Sequence, residues 1–180
     1  MAINIETKRL IMRQLSGEDW SLYYELQTDP VIIDLCFDQR SETDIKTGFE
    51  SRLPNWTTDS EHWLCLVIIE KESGNKVGIT GFNLADGIAE IGYLLLPCFH
   101  GIGYATESLE ALLAWTQNID EVNGYNAVVT KGNIASERVL EKCGFNLSKI
   151  EQNAYEIRGQ LYDDHIYTLQ LKSHRKLTVK

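Results

Sequence analysis

EIGYLLLPCFHGIGYATESLEALLAW, residues 90–115, is the stretch whose reading decides the fold. Its first half is an apolar strand that has to stop at Pro97, because proline has no N–H to offer a ladder. Its second half is a helix: Ala105, Leu109, Leu112, Leu113 and Thr116 recur at helical spacing, while Glu107, Ser108 and Glu110 are expected to face away. Between the two lie Gly101 and Gly103, at the mouth of that helix. A helix mouth leaves four backbone N–H groups unpaired and carries about half a positive charge. Glycines there let a bulky anion approach with no Cβ in the way, and Ala105 keeps the first turn shallow. The chemistry this suggests is pyrophosphate binding by main-chain donors. A glycine pair also suits a plain turn between strand and helix, so the loop by itself leaves both readings open. GIGYAT has no third small residue for a dinucleotide fingerprint, and no GK[ST] follows for a Walker loop.

Outward from this stretch the pattern is mixed. Upstream, WLCLVIIE, KVGITGFN and IAEIGYLLL are strands separated by the turn-forming KESGN and ADG, which predicts an antiparallel meander. Further upstream, Lys8 to Leu15 alternates like a strand. SGEDWSLYYELQTD reads as a short helix opened by Ser16, and a second helix is expected over about Glu42 to Trp56. Downstream, Tyr125 to Thr130 is a strand, IASERVLEKC is a helix closed by Gly144, and strands near Phe145 to Ile150 and His165 to Leu171 complete the sheet. The fold class is therefore α/β (α+β): a mostly antiparallel, mixed central sheet of six to seven strands with flanking helices.

The chain has 180 residues, 43% hydrophobic and 24% charged, which predicts one domain over 1–180 with a packed core. No apolar run approaches the roughly 20 residues that span a bilayer, and MAINIETKRL carries no signal-peptide core, so a cytoplasmic location is expected. Cys36, Cys65, Cys98 and Cys143 lie far apart without metal-ligand spacing, which predicts buried reduced thiols and no metal. The net charge of −9 disfavours nucleic acid and anionic membranes as partners. A helix mouth is a local source of positive potential, so an acidic chain can still hold a polyanion.

Four ordered motifs resemble the GNAT superfamily of acyl-CoA N-acyltransferases, and within it the RimJ/RimL type. They are TKRLIMRQL, EIGYLLL, GYATESL and NIASERVLEKCGF, spread from Thr7 to Phe145, and the likeness extends to about Leu171. The superfamily's phosphate loop reads [QR]xxGx[GA], and here it is HGIGYA, with His100 in the place of Gln or Arg. The resemblance implies a GNAT fold splayed between its fourth and fifth strands. It implies acetyl-CoA as cosubstrate, its arm pairing with the main chain of Tyr93, Leu94 and Leu95. The pyrophosphate would sit on the amides of Gly101, Ile102, Gly103, Tyr104, Ala105 and Thr106. The same likeness makes Asn133 a contact of the CoA arm and Ser136 the proton donor to the thiolate.

Each of these positions has a plainer reading. Asn133 suits a helix N-cap and Ser136 a local backbone partner. Glu90 is the candidate base for the amine, acting through water, and is otherwise a solvated strand residue. A backbone N–H of Leu94 or Leu95 is the candidate for polarising the thioester carbonyl. Arg138 and Lys142 are read as surface charge, Glu107 as structural. Tyr155, Tyr162, His165 and the Asp163–Asp164 pair are candidates for the acceptor side. The expected partners are acetyl-CoA and an amine acceptor, either a peptide N-terminus or a small amine, with the chain a monomer or homodimer. A CoA-binding sensor without catalysis is the alternative of another class.

Overall fold

The computed structural model describes residues 3–34 and 36–171. Eight strands form one sheet: β1 (Asn4–Glu6), β2 (Leu10–Gln14), β3 (Leu64–Glu70), β4 (Lys76–Ala85), β5 (Ile88–Leu95), β6 (Gly124–Thr130), β7 (Asn146–Ile157) and β8 (Gln160–Gln170). Their order is β1-β2-β3-β4-β5-β6-β8-β7, and only β5–β6 is parallel. The helices are α1 (Trp20–Thr28), α2 (Pro30–Ile33), α3 (Glu42–Glu50), α4 (Tyr104–Thr116) and α5 (Ile134–Lys142). None of the described helices is long and apolar enough to cross a membrane.

The apolar run in β3 shows why the sheet is covered on both faces. Strand side chains alternate. Leu64, Leu66 and Ile68 enter a core shared with Leu109 and Leu112 of α4 and Leu140 of α5. Cys65 and Val67 enter a second core with Leu22 and Leu26 of α1 and Ile45 and Phe49 of α3. A strand buried on both faces reads as unbroken hydrophobicity.

Several expectations are corrected. The sheet has an additional first strand, β1, so the splayed pair is β5 and β6 by the present numbering. Three residues paired only to β2 are too short to show alternation. Ser16 is followed by a 3-10 turn, Gly17–Asp19, before α1 begins at Trp20. The second helix ends at Glu50 instead of near Trp56: Leu53 precedes Pro54, a position that disfavours helical backbone. Ser108 is buried, its hydroxyl donating to the Ala105 carbonyl (3.0 Å). The last two strands, of 12 and 11 residues, are longer than expected and form a long hairpin, mostly exposed along β7. All four cysteines are free, but Cys65 alone is fully buried, Cys36 and Cys143 are half-buried, and Cys98 is exposed.

One buried carboxylate ties the start of α1 to two strands of the sheet. Asp19 is buried and accepts from Arg13 (2.7 and 2.9 Å), from Lys76 (2.6 Å), and from the Ser16 N–H and hydroxyl (2.8 and 2.9 Å). Burial alone would raise its pKa; the two cations and the Ser16 bonds overcome that and hold it well below the usual carboxylate range. A depressed native pKa stabilises the fold above the unfolded value, near pH 4, and the contribution disappears as pH falls. Asp19→Asn should therefore lower stability at neutral pH by about 2 kcal/mol, the worth of a hydrogen bond to a charged group. Denaturant melts at pH 7 and pH 3 should show the gap between wild type and variant narrowing in acid.

Candidate active site

β5 and β6 pair only over Ile88–Glu90 against Gly124–Asn126. Beyond that point both strands continue, β5 to Leu95 on the β4 side and β6 to Thr130 on the β8 side, and a fork opens between them. The Leu96 N–H donates to the Val77 carbonyl (2.9 Å), which sets the phase of the β4–β5 ladder. In an antiparallel ladder alternate residues point their N–H and C=O groups to opposite sides. Residues 92 and 94 thus turn to β4, and Tyr93 and Leu95 turn theirs into the fork. Of the two candidate carbonyl-polarising amides, Leu95's has the open aspect and Leu94's is directed at its neighbour strand.

The turn after β5 is built as expected and reinforced by a residue the sequence did not single out. Gly101 (φ 77°) and Gly103 (φ 90°) both occupy the left-handed region, which a Cβ strains. Gly103 caps α4, and no side chain fills the role of capping acceptor for the first-turn amides of Tyr104, Ala105 and Thr106. His100 keeps the loop against its strand: a carbonyl only accepts, so its Nε2–H donates to the Leu95 oxygen (2.8 Å). Arg9, inside TKRL, clamps the other side. Its Nη1 donates to the Ile102 carbonyl (3.0 Å), its Nε pairs with Glu107 (2.6 Å), and its guanidinium lies 4.6 Å from the Tyr104 ring centre. Glu107 also accepts from the Thr7 hydroxyl (2.6 Å) and the Arg9 N–H (3.0 Å). Burial would raise this carboxyl, but those donors hold it below its ordinary value. Glu107 therefore spends its charge on the β1–β2 turn, away from the anion-facing side of the helix mouth.

Two cavities meet at the fork. One, of about 440 Å³, is lined by the phosphate-type loop (His100, Gly101, Gly103 to Thr106), by Arg138, Val139 and Lys142 of α5, and by Val31 and Ile32 of α2. The other, of about 310 Å³, is lined by Tyr23, Gln27, Phe37, Arg40, Arg52, Trp63 and Gly92 together with the middle of β4 and the open end of β6. Cys36, Tyr93, Leu94, Asn133 and Ser136 line both. A Cβ on Gly92 would lie 3.0 Å from the Trp63 ring, so that position needs its small residue to admit the indole.

At the junction Tyr93 and Asn133 each serve structure as well as lining. The Tyr93 hydroxyl donates to the Ser136 carbonyl (3.1 Å), propping the first turn of α5 across the fork, and burial pushes the phenol's pKa up. Asn133 Oδ1 accepts the Ser136 N–H (3.2 Å), the N-cap its sequence position suggested, while Nδ2 faces the Cys36 sulfur at 3.9 Å. The Ser136 hydroxyl has no hydrogen-bond partner among the described residues, so it is not engaged as a local backbone partner. Burial pushes the Cys36 thiol up to about 11, leaving it protonated and a poor nucleophile at neutral pH.

Some sequence candidates lie elsewhere. Ile102 is exposed, and of the loop residues it alone is missing from the lining. Glu90 sits where β5 and β6 are still paired, below the fork, and lines neither cavity. Tyr155, Tyr162, Asp163, Asp164 and His165 likewise stay outside both linings: His165 meets Glu137 (2.6 Å), and Asp163 meets Lys131 (3.0 Å) and the Asn153 N–H (3.1 Å). Arg138 and Lys142, read as surface charge, do face the larger cavity.

The family model described as an acetyltransferase (GNAT) domain matches residues 9–146, and the chain belongs to that family. An uncharacterized N-acetyltransferase, p20, of Bacillus licheniformis is 26% identical over 167 residues, covering 91% of this chain and 93% of its own. An uncharacterized N-acetyltransferase of Bacillus subtilis, YnaD, is 23% identical over 171 residues, with 93% and 96% covered. Among solved structures, RimL, a ribosomal L7/L12 alpha-N-protein acetyltransferase in complex with coenzyme A, superimposes with a TM-score of 0.81 at 18% identity, covering 94% of this chain and 98% of its own. The microcin C7 self-immunity acetyltransferase MccE, in complex with acetyl-CoA and AMP, gives 0.77 at 21% identity, with 92% and 94% covered.

If the Arg9–Glu107 clamp holds the loop, Glu107→Ala should speed amide exchange of the Gly103 to Thr106 stretch and leave the β7–β8 hairpin unchanged. Hydrogen-exchange mass spectrometry of the two segments makes that comparison.

Proposed function

We propose that this chain transfers the acetyl group of acetyl-CoA to a primary amine, the finer assignment being a protein N-terminal α-amine. One observation carries it: the uncapped mouth of α4 opens on a cavity that runs through the β5–β6 fork, past Ser136, into a second chamber. Anion site, extended backbone edge and acceptor room thus stand in line. Family membership and the fold shared with RimL support it.

Bound in the larger cavity, acetyl-CoA would supply an activated acyl thioester. First-turn amides from Gly101 to Thr106 would hold its pyrophosphate, aided by Arg138 and Lys142. The free N–H and C=O of Tyr93 would take the pantetheine arm as an added strand, and Asn133 Nδ2 would face it from α5. The Leu95 amide, aimed into the fork, is placed to stabilise charge developing on the carbonyl oxygen. Ser136 offers a hydroxyl proton to the departing thiolate. An α-amine has a reference pKa near 8 and a lysine about 10.4, so the acceptor has to lose a proton first. Glu90 shares a strand face with Gly92, about 7 Å along the strand, so its side chain together with bridging water would relay the proton from the chamber floor. With Cys36 held as a thiol, direct attack by the amine is favoured over an acyl-cysteine route.

A small-amine acceptor is the second reading, favoured by the roof of the chamber. Arg158, at the β7–β8 tip, donates its N–H to Asp38 (2.7 Å) and its guanidinium to Asp34 (2.7 Å), closing the hairpin over the loop that carries Cys36 and Phe37.

Thiol release from acetyl-CoA, assayed against N-terminal peptides and small amines, tests the proposal; tight CoA binding with no turnover on any amine would leave a sensor instead. Gly103→Val should cost at least about 100-fold in CoA affinity by calorimetry, through left-handed strain and loss of close approach. Ser136→Ala should slow turnover about 10- to 100-fold while sparing that affinity, and Glu90→Gln should lower kcat about 100-fold with CoA affinity unchanged.

A further inference from the structure

Six arginines fall within the described residues, and their partners divide them into two groups. Arg9, Arg13 and Arg158 are each ion-paired, to Glu107, Asp19 and Asp34. Arg40, Arg52 and Arg138 have no carboxylate within 4.0 Å among the described residues, and all three line a cavity. Arg138 faces the phosphate end. Arg40 and Arg52 face the acceptor chamber, whose lining holds no Asp, Glu or Lys at all. In a chain with 26 acidic and 17 basic residues, an acid-free chamber with two unneutralised guanidiniums runs against the average field.

Both are held in place by something other than charge. Arg52 donates to the Gly48 carbonyl and sits 5.8 Å from the Tyr23 ring centre and 6.0 Å from that of Trp63. Arg40 lies 4.7 Å over the Phe37 ring. Burial raises the Tyr23 phenol, and the charges of Arg52 and Arg40 act against that. A guanidinium has five N–H donors in a fixed fork that suits carboxylate or phosphate, and the Gly48 carbonyl occupies only one nitrogen of Arg52.

We infer that the acceptor is an anionic amine: its nitrogen enters the junction at Tyr93 and Ser136, and a carboxylate or phosphate of the same molecule lies against Arg52 and Arg40 at the far side of the chamber. The inference rests on the acetyltransferase reading and narrows its substrate class. A bare polyamine or a cationic aminoglycoside would meet two like charges there, and a peptide beginning with acidic residues or a free acidic amino acid would be drawn in.

The test uses the full chain with acetyl-CoA and matched acceptors: free glutamate and phosphoserine, their neutral amide or hydroxyl counterparts, and short peptides differing only in Glu or Lys at the second position. The anionic member of the preferred set should have kcat/KM at least about 10-fold above its neutral match, with the advantage shrinking as salt rises. Whether that set is the free acids or the peptides separates the two sources. Arg40→Gln/Arg52→Gln should erase the advantage by raising KM for the anionic acceptor, and Arg52→Lys should restore part of it. CoA affinity of each variant, unchanged from wild type, shows that it is folded. Turnover with neutral or cationic amines at equal or higher kcat/KM overturns the anionic assignment alone, as does an advantage that survives both substitutions. Absence of turnover on every amine overturns the acetyltransferase reading and this inference together.

Discussion

The structure depends on the place where β5 and β6 stop pairing. A parallel pair that ran to its natural end would bury the N–H and C=O groups of Tyr93 and Leu95 in a ladder; here it ends at Glu90 and Asn126, and those groups look into a gap. Unpaired backbone costs free energy unless water, a side chain or a ligand meets it. His100 meets one of the carbonyls. Tyr93 keeps the gap open by reaching across it to α5. What remains is an edge ready for an extended ligand, inside the sheet, where no second protein strand has access.

The helix mouth at the end of that edge answers how so acidic a chain could hold a polyanion. Its positive potential comes from aligned peptide groups, and the nearby acid is neutralised in another direction: Glu107 is saturated by Thr7 and Arg9. Arg9 does more than pair with it. By donating to the Ile102 carbonyl it holds the glycine turn in its left-handed form, which lets two flexible residues act as a rigid cradle. Flexibility in sequence and rigidity in structure are reconciled by a side chain almost a hundred positions upstream.

The strand, turn and helix from Glu90 to Trp115 were legible in the sequence because proline, positive-φ glycines and a helical stripe leave local signatures. So were Asn133 and Ser136, which sit at fixed offsets from a helix start. The acceptor chamber was not. Tyr23, Phe37, Arg40, Arg52 and Trp63 come from α1, the loops on either side of α3, and the approach to β3, and nothing but tertiary packing brings them together. The outer part of the β7–β8 hairpin, between the two expected strands, was not legible for a related reason: it is mostly exposed, so neither face has to be apolar and no alternation marks it. Glu90 shows what a motif leaves open. Its place in the EIGY motif is plain, yet one residue pair of register decides whether a strand carboxylate lies in the fork or below it.

The two cavities follow opposite electrostatic strategies, and the difference bears on specificity. At the phosphate end the positive potential combines first-turn amides, fixed in the fold, with Arg138 and Lys142 of α5. At the acceptor end it comes from Arg40 and Arg52, side chains on irregular segments beside α3 that can be exchanged without disturbing the sheet. Holding Arg52 against Tyr23 and Trp63 by its flat face leaves its outer edge for a ligand, where a carboxylate partner from the protein would have consumed it. On the proposed reading the site separates what has to stay constant from what is free to vary: amides would aim the thioester, and a pair of unneutralised guanidiniums would select the nitrogen that reaches it.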